Sequence, residues 1–206
     1  MTEEEFKQEI ETAFVELRFF SDAEKVDKKR AIGALLAVFW IAANQYEQFV
    51  RGQAAGTRLT PASWEKLQDW TRRTVGLTTN PGMLGAMLVF LAIGSLGKIK
   101  AFRNAFAPGF DEATEALGAI LQKSPILIPS FAKLDEKLQQ AILSALKAEF
   151  NFGQFLQAEN MPANLYIVKE ILSKGGESGT STNLLSFFLF RNFASTCGIL
   201  GMKSLE

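Results

Sequence analysis

One carboxylate and one guanidinium in apolar surroundings are the residues best placed to do chemistry. In LKAEFNFGQFLQAEN, residues 146–160, Glu149 interrupts a helical pattern. At about 100° per residue, Leu134, Leu138, Ile142, Leu146, Phe152 and Leu156 share one broad face. Lys133, Lys137, Gln140 and Lys147 lie opposite, and Glu149 falls in the middle of the apolar side. A carboxylate there has to take up a proton, hold a cation, or accept hydrogen bonds from a neighbour.

The last apolar segment, LLSFFLFRNFASTCG, carries a matching oddity. Arg191 is its lone charge, with Asn192 beside it. A Glu149–Arg191 pair, joined by Asn192, is the contact expected between the two helices. One use of such a pair is to fix helix register, adding specificity more than stability. The other is to form the polar end of an apolar pocket that holds the head of a small amphiphilic ligand, with Phe152 and Phe188 among its walls. Eighteen phenylalanines against two tyrosines suit either use.

Absences narrow the chemistry. Without histidine there is no Ser-His-Asp or Cys-His catalysis, no imidazole base, and no metal site built on imidazole. One cysteine, Cys197, supplies neither an internal disulfide nor a thiolate cluster, and in an apolar helix it reads as an inert thiol. Neither glycine-rich nucleotide-binding pattern occurs. Asp111, Glu112 and Glu115 in FDEATE read as charges favoured at a helix N-terminus. No metal and no other cofactor is expected, and the balance leans away from an enzyme. The runner-up is an all-α enzyme using Glu149 as acid or base on a small apolar substrate.

Lysine and arginine total 22, as do aspartate and glutamate, so net charge is zero and nucleic acid is not an expected partner. Hydrophobic residues at 48% and charged residues at 21% describe a chain that folds. With a lone cysteine and an acidic, helix-like opening, the expected location is a reducing, cytoplasmic one. One domain over residues 1–206 is expected, and the abrupt terminal SLE suits a part of a larger protein. Residues 32–43 and 83–97 are apolar but shorter than the roughly 20 residues of a membrane span, and Arg191 interrupts residues 184–202. Buried core helices are the expectation, with a membrane-active bundle as a further alternative.

The elements that must position these residues punctuate as helices. Thr2 and Glu5 form a capping box for a helix running to about Phe20. Asp22 opens a long second helix ending near Gly52. Thr60-Pro61 and Asn80-Pro81 each place a cap before a first-turn proline, for helices closed by Gly76 and Gly97. Asp111 opens a fifth helix, PILIP forms a rigid extended connector, and Ser130 opens a sixth that carries Glu149 and ends before Pro162. A seventh starts at Asn160 or Met161 and stops at Gly175-Gly176, and an eighth runs from about Thr182. No alternating, β-branched run survives, so the expected fold is an all-α bundle of about eight helices with apolar ones at its centre.

Trp40, Asn44, Glu47 and Arg51 align along one stripe of the second helix and read as a solvated or interdomain face. Arg72-Arg73 complement a helix dipole. The expected function is a non-enzymatic binding or interaction module, its partner a small apolar or amphiphilic ligand or another protein.

Overall fold

The helix expected after Thr60-Pro61 begins where its sequence demands. Thr60 Oγ1 accepts from the backbone N–H of Ser63 at 3.2 Å, and Pro61 fills the first turn, where its missing N–H costs nothing. Asn80 does the same for Met83 at 3.2 Å ahead of Pro81, and Gly76 ends the intervening segment at φ 71°, a left-handed conformation that glycine adopts freely.

The computed structural model describes residues 3–76, 79–148, 150, 152–175 and 181–201. Among them are no strands and twelve α-helices: α1 (Glu3–Ala13), α2 (Lys25–Ala42), α3 (Tyr46–Val50), α4 (Pro61–Trp70), α5 (Pro81–Ile93), α6 (Lys100–Phe106), α7 (Ala113–Lys123), α8 (Pro129–Ala132), α9 (Glu136–Leu146), α10 (Phe152–Leu156), α11 (Met161–Gly175) and α12 (Ser181–Gly201). The fold is all-α, with twelve helices rather than about eight. Three of the four extra ones come from breaks inside two segments read as continuous, and the fourth, α6, lies between the expected fourth and fifth helices.

The first break ends α2 at Ala42. Asn44 is left-handed at φ 54°, its N–H donates to Ile41 O at 3.2 Å, and the N–H of Gln45 reaches back to Trp40 O at 2.8 Å. This is a glycine-type helix stop made with asparagine, whose short polar side chain tolerates that conformation. The second segment, residues 129–156, divides into α8, α9 and α10; Asp135 separates α8 from α9 by capping α9, accepting from Leu138 N–H at 2.9 Å, and α9 ends at Leu146. PILIP is not extended. Pro125–Leu127 form a 3-10 turn, since the proline φ suits that helix as well as an extended chain, and the residues before the two prolines, Ser124 and Ile128, are both pushed out of the helical region. The first helix likewise stops at Ala13 and resumes as a 3-10 turn over Val15–Phe19; Thr2 lies outside the described residues.

α2 and α12 form the centre, with α5 packed across both, α11 against α12, and α8 and α9 against α5. Every residue from Ala31 to Val38 is buried, which is why α2 has no polar face. The two central helices cross at Gly33 and Gly198. A Cβ on Gly198 would overlap the carbonyl oxygen of Arg30 and lie 2.9 Å from Ala34 N, so only glycine permits this approach. Just past α5, Gly94 and Gly97 let Arg191 and the Ala113 backbone approach closely, whereas a Cβ on Gly85 would meet nothing within 4 Å. Pro81–Lys98 is long and apolar enough to cross a membrane by length and composition, and half of it is buried inside the fold.

Gly118, inside α7, has open space where a Cβ would stand. Gly118→Ala is therefore expected to stabilise the protein by about 0.5–1 kcal/mol, by removing backbone entropy from the unfolded chain. Urea denaturation checks it, and a lower midpoint would contradict the open geometry.

Candidate functional site

Arg191 sits on α12 with its guanidinium carbon 4.8 Å from the centre of the Phe90 ring, and a Cβ on Gly94 would lie 2.9 Å from its Nη2. It therefore rests on the C-terminal end of α5, where the helix dipole and the ring face both favour a cation. Nη1 reaches Asn192 Oδ1 over a long 3.5 Å, Nε is buried without a partner, and no ion pair to Arg191 occurs among the described residues. Burial pushes the guanidinium below its ordinary range, though a guanidinium stays charged in proteins.

Asn192 turns inward along its own helix, its Nδ2 donating to Phe188 O at 2.9 Å. Phe188 is buried, edge-on to Phe150 at 5.7 Å. The structure thus places Arg191, Asn192 and Phe188 side by side. Glu149, the expected Glu149–Arg191 pair and the Phe152 side chain lie outside what is described. Helix α9 ends at Leu146, so the helical wheel that put Glu149 in mid-face does not extend to it.

A cleft of about 790 Å³ lies elsewhere, at the turn between α2 and α3. This is within the 300–1,000 Å³ usual for small-molecule sites. Phe6 and Leu36 are buried at its floor, and Phe39, Trp40 and Tyr46 are half-buried walls. Asn44, Gln45, Glu47, Gln48 and Arg51 make a polar rim. The Trp40, Asn44, Glu47 and Arg51 stripe, read from sequence as solvated, is one side of this cleft.

Its walls are braced from behind. Trp64 Nε1 donates to Asn44 Oδ1 at 2.8 Å, Gln68 Nε2 to Ile41 O at 2.7 Å, and the Tyr46 hydroxyl to Leu59 O at 2.7 Å. Because an indole N–H can only donate, it fixes which end of the Asn44 amide faces inward and leaves the NH₂ facing away from Trp64. A residue at positive φ, locked by its side chain at the mouth of a cleft, is strain held where a site would use it. Glu47 and Arg51, one helical turn apart, give the rim opposite charges and no net charge. A second cleft of about 400 Å³ lies between α7 and the end of α9, floored by Gly118, Ala119 and Leu146.

Sequence reading missed the turn because it sought a glycine stop. The signal was present as an asparagine followed by a new amphipathic turn. It also missed Glu16, which is fully buried in the 3-10 turn after α1, where its Oε1 accepts from the Ser130 N–H at 2.7 Å. Arg72 and Arg73 lie in the π-helical turn that ends at Gly76, with Arg73 paired to Asp69.

Cys197 is sequestered, and burial raises its thiol from 9.0 to about 12 against a smaller opposing backbone hydrogen bond. The native thiol is expected to react with a disulfide reagent at pH 8 about a thousandfold more slowly than in urea, tracking the lost thiolate. Equal rates would refute the burial. Because the folded form holds the proton more tightly, this contribution to stability is complete below pH 9.0 and lost as pH rises from there towards 12.

Residues 4–178 match a family model described as a family of unknown function, DUF6829. No curated protein and no solved structure matches the chain.

Proposed function

We propose, on the premise that the chain belongs to the DUF6829 family, which carries no assigned activity, that it is a non-enzymatic helical binding module and that its ligand site is the Trp40 cleft. One observation carries this reading: half-buried rings from α2 and α3 converge on a braced, polar-rimmed cleft of ligand size. A polar rim over an apolar floor can orient a small amphiphilic molecule by its head while the rings cover its tail. The Arg191 cluster, resting on Phe90 and the end of α5, contributes register between core helices.

Titration with 1-anilinonaphthalene-8-sulfonate, which brightens in apolar sites, tests the assignment. Saturable binding is expected in the folded protein, weakened at least tenfold by Trp40→Ala, since base-sized rings lose about 1–3 kcal/mol per stacking partner removed. Circular dichroism verifies that the variant is folded. Unchanged dye affinity in a folded Trp40→Ala protein would remove the cleft as the site.

A further inference from the structure

We propose that the smaller cleft, between α7 and the end of α9, is a second binding site, and that its occupant is a medium-chain carboxylate. It shares no residue with the Trp40 cleft and stands whether or not that one is filled. Along α7 it is lined by Thr114 and Glu115, then Gly118 and Ala119, then Gln122 and Lys123. A spacing of four keeps to one face of a helix, so the cleft is a groove running about 13 Å along the axis. Leu146, buried at the end of α9, supplies its apolar far side. A space of about 400 Å³ drawn out in this way fits a linear chain better than a compact ring system.

Gly118 keeps the groove open. A glycine inside a helix is destabilising relative to alanine, and a Cβ on Gly118 would meet nothing within 4 Å, so no neighbour requires the glycine. What its missing side chain leaves is room. The cation comes from Lys123, whose Nζ stands 5.8 Å from the centre of the Phe110 ring, another wall of the same cleft. The ring face favours an ammonium there without neutralising it, because a quadrupole carries no net charge. Lys147 adds a second cation to the walls against the single carboxylate of Glu115, and none of the three is in an ion pair among the described residues. The surplus positive charge selects an anion. An ammonium beside an apolar groove and without a counter-ion has donors to spare for a carboxylate head, while the floor covers an alkyl tail.

Isothermal titration calorimetry of the whole chain with octanoate is the test, with octanamide as its uncharged counterpart. Octanoate is expected to bind at millimolar concentration or below, about tenfold more tightly than octanamide, as one charge-assisted hydrogen bond allows. Lys123→Gln, a change on an exposed side chain, is expected to bring the two ligands to equal affinity. Gly118→Leu fills the groove with a residue that helices favour, so it is expected to abolish binding of both while leaving the urea midpoint no lower than the parent's. Ala119→Leu fills the groove from the next position and takes its place if Gly118→Leu does not fold. Trp40→Ala is expected to leave octanoate binding unchanged, because Trp40 lines only the other cleft. No saturable octanoate binding at millimolar concentration overturns the proposal. So does binding that survives in a folded groove-filling variant, or that is lost in Trp40→Ala. If the groove-filling variants abolish binding but octanoate and octanamide bind the parent equally, the carboxylate is not what the groove recognises and the assigned occupant is wrong.

Discussion

A Gly97→Ala protein is expected to lose about 3 kcal/mol or more of folding stability, at the upper end of what a single added methyl does in a packed interior. Gly97 is buried in the 3-10 turn Leu96–Lys98, against the first turn of α7. A Cβ there would overlap the carbonyl oxygen of Ala113 and come within 3.2 Å of Leu117 Cβ. Both obstacles belong to backbone or to a Cβ, so no rotamer change relieves them, and the turn or α7 must move bodily. Urea denaturation followed by circular dichroism measures the loss. Gly118→Ala in the same helix is the matched control, because it adds the same atom where space is open. A Gly97→Ala midpoint equal to that of the parent would show that the turn and α7 separate at little cost.

The second large effect concerns Glu16. Its carboxylate holds the N–H of Ser130, 114 residues away in sequence, while its other oxygen and the Ser130 hydroxyl are buried without partners. Glu16→Ala is expected to cost about 2–3 kcal/mol, through a stranded buried N–H and the cavity left behind. Glu16→Gln is expected to cost less, because its amide oxygen still accepts from Ser130. Equal losses for the two variants would mean that the buried charge, rather than the hydrogen bond, joins the N-terminal segment to α8. A Glu16→Ala protein as stable as the parent would remove the clamp altogether.

Helices were legible wherever a side chain reports its own local geometry. The Thr60 and Asn80 caps, the prolines that follow them and the glycine at position 76 are encoded within a few residues, and the structure has all of them. Breaks were not, because Asp135 reads equally well as an exposed helical residue and as a cap, and a wheel drawn across it carries its phase error to every later residue. Glu16 was hidden for a related reason. In an acidic opening segment it resembles its exposed neighbours, and only the 3-10 turn rotates it inward against a helix from much later in the chain. The cleft fell between these cases. Its four-residue stripe was visible, but the floor contributed by Phe6 and the wall contributed by Tyr46 depend on where α1 packs and how α2 ends.

The crossing of α2 with α12 bears on how the chain is made. α2 ends at residue 42 and α12 begins at residue 181, so 138 residues separate a central helix from the partner that covers it. At the usual 5–20 residues per second of synthesis, α2 leaves the ribosome roughly seven to thirty seconds before α12 is begun. During that interval its run from Ala31 to Val38 is open to any apolar surface nearby. The central packing of the fold is thus completed only near the end of synthesis, however early α2 itself is made.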